Sequence, residues 1–233
     1  MSDATTLDPQ AVTDADAATR SQTSVIDQRP ALDVHLQTAR SPLAHLFTVR
    51  ADANAGVVLE EKAFLGHLML RGDPAQSGFA EAVEVALGLA LPLTSSTLNL
   101  NDAGVSIQWL APDEWLIIVP GEEAFAFEQA LHEQLSGRYQ VVNVSGGQTV
   151  VSLSGAQARQ VLMKSTPTDV HPRAFPVGRG VPAVFAKATL ILRHVSAKEG
   201  ESEFELVIRR SFADYLGRWL LDASEEFGVC IKA

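Results

Sequence analysis

The sequence predicts an α+β fold built on mostly antiparallel sheets, and three observations carry that reading. Val105–Trp109 and Glu203–Arg209 alternate apolar with polar residues, as half-buried strands do. Phe79, Val83 and Leu87, and later Phe212 to Phe227, instead repeat apolar residues at helical spacing. The strand patterns are joined by short turn-like sequences, which favours hairpins over strand–helix–strand crossovers.

The folded part is predicted to begin near Ser41-Pro42-Leu43, with one or two strands over residues 57–71. The spacing from Phe79 predicts a helix ended by Gly88 and Pro92. A hairpin follows, with a type I turn at Ala111-Pro-Asp-Glu114; this loop places Trp109 opposite Leu116 and Ile107 opposite Ile118. The unbroken run Trp115–Val119 suits a strand covered on both faces.

Glu122–Leu135 predicts a helix with acidic residues in its first turn. Strands at Tyr139–Val144 and Thr149–Leu153 flank Ser145-Gly-Gly147, which reads as a hairpin turn. Ser154 with Gln157 has the capping-box pattern of a helix start. The loop from Thr166 to Pro182 holds four prolines. A strand near Val184–Arg193 and the polar loop His194–Ser202 lead into Phe204–Ile208, with Glu203, Glu205 and Arg209 on the outward face. Ser211 and Asp214 open a last helix that Gly228 ends.

Residues 1–40 differ in composition, with six Asp against three Arg and no aromatic side chain. Such a stretch buries too little apolar surface to order itself. It is predicted to be an acidic arm, disordered or ordered on a partner through Val25, Ile26, Leu32, Val34 and Leu36. Residues 41–233 are predicted to be a single α+β domain of two joined halves, roughly 41–137 and 138–233.

A net charge of −10 and the absence of any basic block argue against nucleic acid and anionic membrane as partners. The start has neither a basic nor an apolar stretch of the secretory kind, and no apolar run reaches membrane-spanning length. With one cysteine, Cys230, the chain suits a cytoplasmic setting.

Residues able to carry chemistry are few. Gly178-Arg-Gly180 shows two glycines of a dinucleotide fingerprint, but Val181-Pro182 follows where a helix must start. Ser145-Gly-Gly147 lacks the Lys-Ser/Thr of a phosphate loop. His35, His45, His67, His132, His171 and His194 are scattered, none at metal-site spacing. His171, in Asp169-Val-His-Pro-Arg-Ala-Phe175, is the best candidate for a loop function, with a local loop anchor the simpler role. Arg71-Gly-Asp73 follows a strand pattern and is not read as adhesive, while Trp109, Trp115 and Trp219 sit on apolar faces. No catalytic, cofactor-binding or metal-binding residue is assigned.

A set of phrases in order resembles a known family. They are Ser41-Pro-Leu43, Leu70-Arg-Gly-Asp73, Leu87-Gly88 and Trp109-Leu-Ala-Pro-Asp-Glu-Trp-Leu116, then Leu153-Ser-Gly-Ala-Gln-Ala-Arg159, Asp169-Val-His-Pro172 and Arg209-Arg-Ser-Phe-Ala213 with Trp219-Leu220. Together they resemble the gamma subunit of bacterial heterotetrameric sarcosine oxidase. Asn143 and Val170 depart from it, standing where Asp and Leu are more usual.

That family is similar to the folate-binding part of the glycine-cleavage T-protein (aminomethyltransferase), which implies an α+β fold with ferredoxin-like subdomains. The resemblance implies a non-catalytic chain packing on an alpha subunit, with beta and delta subunits completing the complex. It implies that FAD, FMN, NAD, zinc and tetrahydrofolate are held by other subunits and none by this chain. The implied reaction is oxidative demethylation of sarcosine to glycine, a one-carbon unit and hydrogen peroxide. A subunit of an N-methyl amino-acid dehydrogenase and a free-standing folate-binding protein are the alternatives.

Overall fold

The computed structural model describes residues 39–198 and 201–232; the predicted arm, apart from its last two residues, lies outside them. Among the described residues, eleven strands form two sheets. The first half of the chain gives β1 (Val57–Lys62), β2 (Gly66–Gly72), α1 (Phe79–Leu87), β3 (Leu98–Leu100), β4 (Ser106–Ala111), β5 (Glu114–Val119) and α2 (Ala124–Gln134). The second gives β6 (Tyr139–Asn143), β7 (Gln148–Ser154), α3 (Ala158–Ser165), β8 (Gly180–Phe185), β9 (Ala188–Lys198), β10 (Glu201–Arg209), α4 (Ala213–Ser224) and β11 (Val229–Lys232).

The five-stranded sheet has the order β3-β4-β5-β2-β6 and the six-stranded sheet β11-β1-β7-β10-β9-β8. All pairings are antiparallel except β1 with β11. This is the predicted α+β class. The halves 41–137 and 138–233 do not correspond to the two sheets: β1 belongs to the later sheet and β6 to the earlier one.

Each sheet carries its helices on one face. Phe79, Val83 and Leu87 of α1 and Leu131 of α2 pack with Trp115, Ile117 and Val119. Val161 and Leu162 of α3 and Leu216 and Leu220 of α4 pack with Leu59, Val151, Leu153, Phe204 and Leu206. The remaining faces meet through Leu116 and Ile118 against Val150 and Val207. Two alternating patterns whose polar faces each read as solvent-facing therefore cover one another.

Helix α1 ends at Gly88, which turns left-handed at φ 63° and returns its N–H to Glu84 O. On α4, Gly217 admits the Ser41–Phe47 turn; a Cβ there would lie 2.6 Å from Leu43 Cδ2.

Several local expectations differ. Ala111 does pair with Glu114, but a bulge between Trp109 and Ala111 absorbs one residue. Trp109 consequently faces Trp115, and Ile107 faces Ile117. Ser145-Gly-Gly147 is not a hairpin turn, because β6 and β7 lie in different sheets. Neither Ser154 nor Ser211 caps a helix: the N-caps are Gln157 and Phe212, without side-chain cap bonds. Ser154 is still in the β1–β7 ladder, and a 3₁₀ turn over Arg210–Phe212 precedes α4. The expected strand Val184–Arg193 is really two, β8 and β9, and His194 continues β9 rather than opening a loop. Pro182 sits in β8, an edge strand, where a missing N–H is tolerated.

Candidate functional site

The chemically richest region is a row of polar side chains where the sheets face each other. Arg193 on β9 is buried and its Nη2 donates to Glu205 Oε2 on β10 at 2.9 Å and to Ser106 Oγ on β4 at 2.9 Å. Lys62 on β1 continues the row, with Nζ 2.9 Å from Glu205 Oε1 and 3.1 Å from Glu203 Oε1. Glu203 also accepts from Ser152 and Ser196. Positive and negative groups alternate Arg193–Glu205–Lys62–Glu203, from the buried Arg193 to the half-exposed Lys62 and Glu203, so each charge has an opposite neighbour.

The pKa directions follow. Burial drives the Arg193 guanidinium below its ordinary value, and the Glu205 charge opposes it. Burial also pulls Lys62 down, but the Glu205 and Glu203 carboxylates outweigh it and hold the ammonium above its usual value. Burial raises Glu203, but Lys62 and the serine hydroxyls bring it below the ordinary carboxylate value. His67 on β2, beside this row, is pushed down to about 4, chiefly by burial; its bond to Leu65 O opposes the fall and the Arg193 charge adds to it. The imidazole is neutral near pH 7.

Clefts open elsewhere on the surface. One of about 1020 Å³ lies where the β4–β5 turn meets the ends of β2 and β6, lined by Arg71, Asp73, Asp113, Arg138 and Tyr139. Its Arg-Gly-Asp tripeptide is engaged locally: Arg71 donates to Asp113 at 3.2 Å, and Asp73 accepts from Ala75 N–H at 2.9 Å. A smaller cleft of about 260 Å³ is lined by Arg159, Met163 and Ser202. Arg159 lies 5.0 Å above the Phe204 ring and donates to Val170 O and Ser202 Oγ. Neither cleft is lined by Arg193, Glu205 or His67.

Among the described residues, the histidines do not converge. His45 Nε2 meets Asp214 at 2.6 Å, tying the Ser41–Phe47 turn to α4. His132 contacts the Tyr139 hydroxyl, and His194 is buried with Nδ1 2.9 Å from Phe175 O. His171 anchors its own loop, accepting from Arg173 N–H while its own N–H donates to Asp169. His35 lies outside the described residues. Among the described residues, no three His, Cys, Asp or Glu side chains are grouped to hold a metal ion. Gly178 and Gly180 sit at the entry of β8, and Cys230 is half-buried on β11. Among the described residues, no helix is long and apolar enough to cross a membrane.

The alternation at Glu203–Arg209 misplaced Glu205, which reads as outward yet is buried. Val207, apolar on that same supposedly outward face, is the signal that this face is covered.

Comparison with known proteins agrees with this architecture. The model of the "Sarcosine oxidase, gamma subunit family" matches residues 71–226. A sarcosine oxidase subunit gamma from Arthrobacter sp is 36% identical over 191 residues, spanning 81% of this chain and 91% of that protein. A chain of the heterotetrameric sarcosine oxidase from Corynebacterium sp. U-96, solved with pyrrole 2-carboxylate, superimposes with TM-score 0.72 at 32% identity, over 84% of this chain and all of that one. The glycine cleavage system aminomethyltransferase T from Bartonella henselae shares the fold, with TM-score 0.56 at 17% identity over 77% of this chain and 56% of its own. The chain belongs to the sarcosine oxidase gamma subunit family.

Proposed function

We propose that the chain is a non-catalytic gamma subunit of a heterotetrameric sarcosine oxidase, packing on the folate-binding part of an alpha subunit beside beta and delta chains. The assembled enzyme oxidises the N-methyl group of sarcosine, giving glycine, hydrogen peroxide and a one-carbon unit carried on tetrahydrofolate or released as formaldehyde. FAD, FMN, NAD, zinc and tetrahydrofolate are held by the other subunits. The observation that carries the reading is the superposition of 84% of this chain on the whole of a chain of a heterotetrameric sarcosine oxidase at 32% identity. The side chains here fit a supporting role: the charges at the sheet joint are matched to each other, as in a structural clamp.

The test is co-expression of the tagged chain with the neighbouring reading frames. Copurification of a flavin-bearing partner and sarcosine-dependent peroxide formation are expected. A chain that stays alone throughout, and binds tetrahydrofolate tightly by calorimetry, overturns the reading in favour of a free-standing folate protein.

A further inference from the structure

The row between the sheets has hydrogen-bonding capacity that protein groups leave unused. Among the described residues, Arg193 Nε and Nη1, His67 Nε2 and Gln108 Oε1 are buried without a hydrogen-bond partner. The three residues are 2%, 1% and 0% exposed, respectively. They are neighbours. His67 and Ser106 flank Ile118 on adjacent strands, and Ser106 Oγ accepts from Arg193. Gln108 lies two positions along β4 from Ser106, on the same face. Its amide reaches over Gly180, the residue opposite Arg193 in the β8–β9 ladder, where a Cβ would lie 1.8 Å from Oε1.

The polarity of each atom is fixed. Guanidinium nitrogens only donate. Gln108 Nε2 points at the carbonyls of Thr97, Trp109 and Gly180, so the other amide atom is an oxygen and accepts. His67 Nδ1 lies 3.1 Å from Leu65 O, which only accepts, so Nδ1 carries the proton. The ring is neutral, and Nε2 is therefore a bare lone pair. Donors thus face the joint from the six-stranded sheet and acceptors from the five-stranded one.

An anion would meet the lone pairs of His67 Nε2 and Gln108 Oε1, and a cation would meet Arg193. A water molecule donates twice and accepts twice, and buried waters characteristically satisfy polar groups of this kind. We propose that the joint between the two sheets holds an internal water site, the water donating to His67 Nε2 and Gln108 Oε1 and accepting from Arg193. The two sheets are then stitched by a solvent molecule as well as by the Arg193–Ser106 bond.

The test is a crystal structure of the full chain at a resolution that shows ordered solvent, with a parallel bromide soak. The expected result is a peak within about 2.7–3.2 Å of His67 Nε2, Gln108 Oε1 and an Arg193 nitrogen, without anomalous bromide signal. Water-to-His67 ring Overhauser contacts in solution are expected with it. A bromide peak at that place identifies an anion site and overturns the proposal. Direct bonding of Arg193 to Gln108 Oε1, with no solvent between them, overturns it equally.

Discussion

Arg193 and Glu205 stand opposite each other on adjacent strands, and Glu205 is the shared partner of two cations, holding Arg193 Nη2 through Oε2 and Lys62 Nζ through Oε1, each at 2.9 Å. Removing the shared acid strands the buried Arg193 and leaves Lys62 with Glu203 alone, whereas removing Arg193 leaves Glu205 paired with Lys62. Glu205→Leu is expected to destabilise the chain by about 3–5 kcal/mol and Arg193→Met by clearly less. Urea midpoints of the two variants check the order; equal losses would mean that Lys62 contributes nothing to holding Glu205.

Gly180 provides the floor on which the Gln108 amide rests. Gly180→Ala is expected to lose about 1–3 kcal/mol through overpacking. In the Gly180→Ala/Gln108→Ala double variant the clash disappears, so the two losses sum to more than the measured one. A double-mutant cycle in urea reads this coupling directly.

His67 makes the chain acid-sensitive. Its pKa in the fold lies at about 4, against 6.5 unperturbed, so protons bind the unfolded chain more tightly. Stability is full above pH 6.5, falls below it, and has lost the whole His67 contribution by about pH 4. The shift corresponds to about 3 kcal/mol. His194, also lowered by burial, acts in the same direction, while Glu203, lowered by Lys62 and its hydrogen bonds against the effect of burial, adds a loss as pH drops through its folded pKa. Urea titrations at stepped pH, with His67→Gln expected to flatten the upper part of the curve, measure this.

Arg159 joins α3 to the Val170 loop and to β10 while covering the Phe204 ring. Lysine keeps the charge but not the two-pronged donor geometry. Arg159→Lys is expected to lower stability by about 1 kcal/mol. The thermal midpoint reports it, with unchanged sheet circular dichroism as the control.

Much of the fold is legible in the sequence because it is local. Phe79, Val83 and Leu87 fix α1, the Leu216–Leu220 stripe fixes α4, and Trp115–Val119 already reads as a strand covered twice. The polar row is not legible, because Ser106, Gln108, Arg193 and Glu205 each look like a solvent-facing residue in an alternating strand. Only the stacking of the two sheets turns those faces toward each other, and alternation along one strand does not encode that. The bulge beside Trp109 is hidden for a similar reason: nothing between Trp109 and Pro112 marks which residue is left unpaired. The family resemblance is what points to a substrate and an assembly; the residues themselves supplied the architecture.

The position of β1 bears on how the polypeptide is made. Val57–Lys62 emerges early from the ribosome, yet its sheet neighbours β7 and β11 are synthesised far later, the second almost at the end of the chain. Once β7 is made it flanks β1 on one side, but the other side stays unpaired until β11 follows, whereas the five-stranded sheet is complete as soon as β6 has emerged. Nascent chains halted before Val229 should therefore leave the six-stranded sheet protease-sensitive, while residues 66–143, which hold every strand of the five-stranded sheet, acquire resistance earlier.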